Sequence, residues 1–258
     1  MADHQNFDCC FCSLALRAPY RKLALRLSED LAERVPGVPF VVLTDAPKEF
    51  CGVDNVIAIR HTHHFGYRPY NDKVFVLEEA LKRFSVAIQI DVDTRITQSI
   101  SEKINKFCLP GIAGCSKGLL EHTKKNNPKD FEKIERIADK LGLRLEGVRW
   151  VGEHMFVLRR DNGKEKEFFA MWKKLARYWD IHKLGAKDGT LIGLAAASVG
   201  WNISSEHWQD LNACLEHLDI HRQQKPGEIK MFLDKWNYRL RILGVRFFSL
   251  ADREFYYD

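Results

Sequence analysis

At 258 residues, 45% of them apolar, the chain can bury a sizeable core, yet it has no run approaching the roughly 18 apolar residues of a transmembrane helix. Its 40 basic and 35 acidic residues are interspersed and leave a formal charge of +5. That balance suits a small anionic ligand at least as well as a nucleic acid, whose binders gather Lys and Arg on one stripe, so no nucleic-acid partner is expected. Seven cysteines cannot all pair, and Met1-Ala2-Asp3-His4-Gln5-Asn6 lacks a secretory pattern, so reduced thiols in a cytoplasmic protein are expected.

Residues 7–16 predict a short strand and a loop. Cys9, Cys10 and Cys12 crowd there without partners at zinc-finger spacing, so they read as small apolar strand residues. A helix follows over 20–34, with Leu23, Leu27 and Leu31 on one face, and Pro36-Gly37 ends it. The run 38–43 reads as a buried strand leaving at Thr44-Asp45, and 53–59 as a third strand. Strand, helix, strand with short connections indicates a parallel α/β sheet. The loop 61–70 is polar and aromatic. Its histidines, His61, His63 and His64, alternate too irregularly for a metal site and read as a mobile loop over a ligand pocket.

Asn71 or Asp72 caps a helix reaching 81, with Val74, Leu77 and Leu81 on its buried face. The strand 86–90 then runs directly into Asp91-Val92-Asp93, and in open α/β sheets ligands collect at the carboxyl ends of strands. Past 97 the pattern changes. A charged helix is expected over 127–141, closed by Gly142, then a strand over 150–158 and a helix over 164–179. Asp188 reads as N-cap of a helix over 191–199 closed by Gly200, and 205–218 as a further helix. The tail 229–258 yields no assignment.

Alternation along a strand would point Asp91 and Asp93 the same way, so both could reach one divalent cation. Hard oxygen ligands suit Mg²⁺ or Mn²⁺, which in turn bridge diphosphate oxygens. A solvated turn at a strand end is the plain alternative.

Tyr70-Asn71-Asp72-Lys73, the helix after it and Ile88-Gln89-Ile90-Asp91-Val92-Asp93-Thr94 together resemble the core of the GT-A-fold glycosyltransferases. The resemblance is good over about the first hundred residues and loose beyond. It implies a GT-A-like, Rossmann-type mixed sheet, mainly parallel and flanked by helices. It also implies one domain over 1–258, with a nucleotide-sugar-binding half at 1–95 and an acceptor half at 96–258. The activity implied is metal-dependent transfer of a sugar from a UDP- or GDP-sugar to an unidentified acceptor, with Mn²⁺ or Mg²⁺ as cofactor.

By that resemblance Ser13, Leu14, Ala15, Arg17, Tyr20 and Asp45 surround base and ribose, while Lys73, Asp91 and Val92 lie near the diphosphate. Arg17 could equally be a surface arginine, and Lys73 a solvated first-turn lysine. The implied metal ligands are Asp91, Asp93 and His221, with His217 as an alternative to His221 and Lys225 contacting the diphosphate. Glu153 or His154 would act as general base or orient the acceptor, and a buried structural pair is the competing reading. Asp188 would contact sugar or acceptor if it does more than cap a helix. Two rival functions remain: a nucleotidyltransferase, whose G-x-G-T-R-like loop is replaced here by Ser13-Leu14-Ala15-Leu16-Arg17, and a non-catalytic scaffold.

Overall fold

The first strand divides the interior in two. In β1 (Cys9–Ala15) the side chains of Cys10 and Cys12 enter one core, while Cys9, Phe11 and Ala15 enter the other, as the two-residue period of a strand requires. The computed structural model describes residues 8–65, 69–107, 109–185, 188–218 and 228–257. Within them α1 (Ala18–Arg34) leads to β2 (Phe40–Thr44) and β3 (Val56–Arg60), and α2 (Lys73–Arg83) leads to β4 (Val86–Ile90). After β5 (Thr94–Ile96) and α3 (Ser101–Ile104) come β6 (Gly111–Gly118), α4 (Leu119–Asn126), α5 (Phe131–Lys140) and β7 (Arg149–Arg159). The chain continues through α6 (Lys164–His182), α7 (Asp188–Ser198), α8 (Trp208–Asn212) and β8 (Leu215–His217) to α9 (Glu228–Ser249) and α10 (Arg253–Tyr257).

One six-stranded sheet runs in the order β3-β2-β1-β4-β7-β6. The first four are mutually parallel, and β7 is antiparallel to both its neighbours. Helices α2, α6 and α7 cover one face and α1 the other. This is the mixed, mainly parallel α/β sheet that the sequence pattern implies. Its middle strand β4 opens its carboxyl end between β1 and β7, where such sheets place their ligands.

Three stretches differ from expectation. The span 205–218 is not one helix: after the short α8, Leu215–His217 pairs antiparallel with Thr94–Ile96, so a cross-strand ladder overrides local helical propensity. The tail is helical, with α9 resting on α6 and leaving Trp236, Leu240, Leu243 and Phe247 facing solvent. Asp72 is no N-cap: its own backbone is helical (φ −72°, ψ −5°), and its carboxylate turns instead toward His61 and the amides of His64 and Phe65.

Helix α7 lies unusually close to β7. A Cβ built on Gly189 would stand 2.1 Å from the Val151 carbonyl oxygen, and one on Gly193 2.0 Å from that of Arg149. Two glycines one helical turn apart thus let α7 rest on strand backbone, which carries Asp188 to the end of β4.

Candidate active site

The site assembles where β4 ends. Thr94 N–H donates to the Asp91 carbonyl at 2.9 Å, so Asp91-Val92-Asp93 is a turn rather than the last residues of the strand. Strand alternation therefore does not orient the two carboxylates, and they take different partners. The Asp91 carboxylate accepts from Gln89 Nε2 at 2.9 Å and lies 2.7 Å from Lys73 Nζ. Asp93 Oδ1 lies 3.6 Å from His217 Nδ1. Val92 between them is buried in the α1-side core.

Lys73 is the hub. Its Nζ sits 2.7 Å from Asp91, 3.2 Å from Asp188 Oδ2, and donates to the Glu153 carbonyl at 3.0 Å. Asp188 Oδ2, without a hydrogen bond in this geometry, is held to Lys73 by charge. Lys73 is therefore no solvated first-turn lysine: its side chain is 9% exposed and braced from three elements. Burial alone would push this ammonium down, but Asp188 and Asp91 outweigh it and hold Lys73 above its ordinary value. Burial pushes the Asp188 carboxyl up, against the pull of Lys73 and with Asp91 adding repulsion. Asp188 is thus the first residue of α7 and half of a buried ion pair, more than a cap.

Glu153 and His154 arrive through a distortion of β7. Gly114 pairs with Phe156 and Ser116 with Val151, so Gly152, Glu153, His154 and Met155 face Cys115 alone across the ladder. The bulge lifts Glu153 and His154 past the end of β4, and Asp91 N–H donates to the His154 carbonyl at 2.8 Å. Glu153 Oε2 accepts from Gly189 N–H at 3.2 Å, fastening the first turn of α7. His154 Nε2 is 3.3 Å from Asn212 Oδ1, and its ring centroid is 6.3 Å from that of His217.

On the other side of β4 the β1–α1 loop meets the exit of β2. Arg17 N–H donates to the Asp45 carboxylate at 3.2 Å, and Arg21 Nη1 reaches the same carboxylate at 2.7 Å. Arg21 also grips Glu49 through Nε and Nη2, each at 2.8 Å. The guanidinium is held above its usual value by Glu49 first and Asp45 second. Arg21 was not singled out in the sequence; the i, i+4 repeat of Arg17–Arg21 against Asp45–Glu49 is the signal that could have found it. Ser13 and Ala15 are buried within β1, while Leu14 and Tyr20 are half-buried. Arg17 itself is exposed with φ 76° and ψ 151°, a backbone region that glycine alone occupies at ease.

The sheet edge therefore brings together Lys73, Asp91, Asp188, Glu153 and His154, with Asp93 beside His217. His221 and Lys225 lie outside the described residues. Asp93 Oδ1 and His217 Nδ1, 3.6 Å apart, are close enough to share one divalent cation. Asp91 is already neutralised by Lys73. Among the described residues, the three-residue His/Cys/Asp/Glu cluster with ligand atoms all within 4.8 Å lies elsewhere, at His61, His64 and Asp72. Of these histidines His64 is exposed and His63 half-buried. His61 is buried against Phe75 because Asp72 draws it inward.

No protein-family model and no curated protein matches this sequence. Solved structures do. Galactosyltransferase LgtC, in complex with donor and acceptor sugar analogues, superposes with a TM-score of 0.50 at 10% identity, over 71% of this chain and 69% of that one. Mouse xyloside xylosyltransferase 1, in its apo form, gives a TM-score of 0.50 at 10% identity over 84% of this chain and 99% of that one. The fold is that of the GT-A glycosyltransferases. At this identity the likeness establishes the architecture, and the chemistry must be argued from the site.

Proposed function

We propose that the chain is a metal-dependent glycosyltransferase that takes its sugar from a UDP- or GDP-sugar bound along the carboxyl ends of β1, β2 and β4. The observation that carries this reading is the excess of acid at the end of β4. Lys73 faces Asp91, Asp188 and the Glu153 backbone, and Asp93 stands beside an imidazole. A diphosphate entering such a site needs a divalent cation between its own charge and the carboxylates.

In this reading Asp93 and His217 hold the cation, with Asp91 kept in place by Lys73. When bound, the ion would offset the charge that gathers on the departing nucleoside diphosphate. The half 1–95 holds the nucleotide: Leu14, Arg17, Tyr20 and Asp45 line base and ribose, and Ser13 and Ala15 form the buried floor. The half 96–258 receives the acceptor. Asp188 and Glu153 position it, Glu153 through its grip on α7. In this reading His154, half-buried with Nε2 toward Asn212 Oδ1, accepts a proton from the acceptor hydroxyl at its other ring nitrogen.

The test is nucleotide release. Incubated with a panel of UDP- and GDP-sugars, the protein should liberate one nucleoside diphosphate in the presence of Mn²⁺, water taking the sugar where no acceptor is supplied, and both EDTA and Asp93→Ala should stop it. A panel on which no nucleotide-sugar is consumed, joined to stabilisation by nucleoside triphosphates alone, would transfer the reading to a nucleotidyltransferase.

A further inference from the structure

The loop that leaves β3 carries a second cluster, which the transfer reading does not use. We propose that His61, His64 and Asp72 form a binding site for a zinc-like transition-metal ion that pins this loop to the start of α2, separate from the cation at Asp93.

The ligand atoms are already gathered. A nitrogen of each ring and a carboxylate oxygen of Asp72 all lie within 4.8 Å of one another, and His61 Nε2 is 2.9 Å from Asp72 Oδ2. Tetrahedral zinc, with bonds of about 2.0–2.1 Å, separates its ligand atoms by about 3.3–3.4 Å, inside the range already spanned. His63 Nε2, 4.0 Å from Asp72 Oδ1, stands next to the same carboxylate.

The surroundings orient these ligands as metal sites require. His64 Nδ1 is 2.7 Å from the Thr62 carbonyl oxygen, an acceptor only, so that nitrogen carries the proton and Nε2 keeps its lone pair. The Asp72 carboxylate is fixed by two backbone amides, His64 N at 2.8 Å to Oδ2 and Phe65 N at 3.1 Å to Oδ1. It is fully buried, and among the described residues its ion-pair partners are histidines, not Lys or Arg. A buried carboxylate in that setting calls for a cation. The rings of His61 and His64 stack at 5.0 Å with Phe75 beside them, giving the site an apolar wall.

Nitrogen-rich ligation favours zinc, whereas the carboxylates at the end of β4 favour Mg²⁺ or Mn²⁺. The placement also gives the ion a task. His61 directly follows β3 and Asp72 directly precedes Lys73, so a metal there would fix the end of α2 from which Lys73 reaches Asp91 and Asp188.

Cobalt provides the test, with no dependence on transfer activity. Metal-stripped protein titrated with Co²⁺ should develop the visible d–d absorption of a tetrahedral site at one equivalent, and Zn²⁺ should displace it. His64→Ala removes an exposed side chain, so the variant should fold; it should weaken Co²⁺ binding by more than about 100-fold. Asp93→Ala should leave the spectrum unchanged, which separates failure here from failure of the transfer reading. Absence of the band in the parent protein, its survival in His64→Ala, or its loss in Asp93→Ala would each overturn the assignment and leave His61–Asp72 as a plain hydrogen-bonded staple.

Discussion

Replacing Lys73 by methionine keeps the reach of the side chain and removes the charge that Asp91 and Asp188 share. At an effective dielectric of about 20, attraction to Asp188 across 3.2 Å is about 5 kcal/mol and to Asp91 across 2.7 Å about 6 kcal/mol. Desolvating three ions, at several kcal/mol each, offsets much of that. What remains after the substitution is an uncompensated Asp188 carboxylate with a side chain only 3% exposed. It can limit the damage by taking up a proton, which burial already favours. The expected net loss is about 3–5 kcal/mol, or about 1–2 M in the urea midpoint at a slope of about 2.5 kcal/mol per M. Adding Asp188→Asn to Lys73→Met should recover part of the loss, because the orphaned charge goes with it.

The pH dependence has a definite sign. A lysine raised in the folded state above 10.5 contributes in full below pH 10.5 and loses that contribution as pH climbs through the folded value. The lysine's share of the gap between parent and variant should thus close only in strong alkali, and on the acid side the gap should shrink as the orphaned Asp188 of the variant takes up its proton. A loss below about 1 kcal/mol, or a double variant whose loss equals the sum of the single losses, would refute the reasoning.

Other outcomes follow from the same geometry. Gly193→Ala drives a methyl to 2.0 Å from the Arg149 carbonyl oxygen and should cost about 1–3 kcal/mol or more in denaturant unfolding. Gly147→Ala, with open space around it, should stay within about 0.5 kcal/mol. Burial, helped by Asp8, pushes the Cys9 thiol up to about 12, and burial raises Cys10 and Cys12 further. A thiol reagent at mildly alkaline pH, read by peptide mass mapping, should therefore label exposed Cys51 well before those three, and early labelling of Cys10 or Cys12 would contradict their placement. Arg17→Gly should relieve a strained backbone and raise stability by about 1 kcal/mol, the strain of about 1–3 kcal/mol less the entropy of a new glycine. It should at the same time weaken nucleotide binding, and a stability drop would argue that the loop is unstrained.

The first half of the fold was legible because its signals are local. The strand at Val86–Ile90, apolar but for Gln89, and the Leu27–Leu31 face of α1 appear where periodicity puts them. The position of Asp91 and Asp93 was readable for the same reason, but their partners were not. Lys73 meets Asp188 across more than a hundred residues, and His217 meets Asp93 only because Leu215–His217 joins β5. No window of sequence contains those pairings. β6, written Gly-Ile-Ala-Gly-Cys-Ser-Lys-Gly, carries three glycines and a single β-branched residue, so strand propensity is silent there. The grouping of the histidine loop was hidden in another way. Irregular spacing along the chain says nothing about a cluster whose third member, Asp72, comes from the start of the next helix.

Calorimetric titration of UDP and GDP, with and without Mn²⁺, into the parent protein and Asp93→Ala probes the end of β4 most directly. The parent should bind one nucleoside diphosphate tightly only when Mn²⁺ is present, and Asp93→Ala should lose that binding while unfolding at the parent's temperature or above, since it sheds a charge from an acidic cluster. Nucleotide binding indifferent to both Mn²⁺ and Asp93→Ala, or no binding at all, would contradict a cation-held donor at this sheet edge.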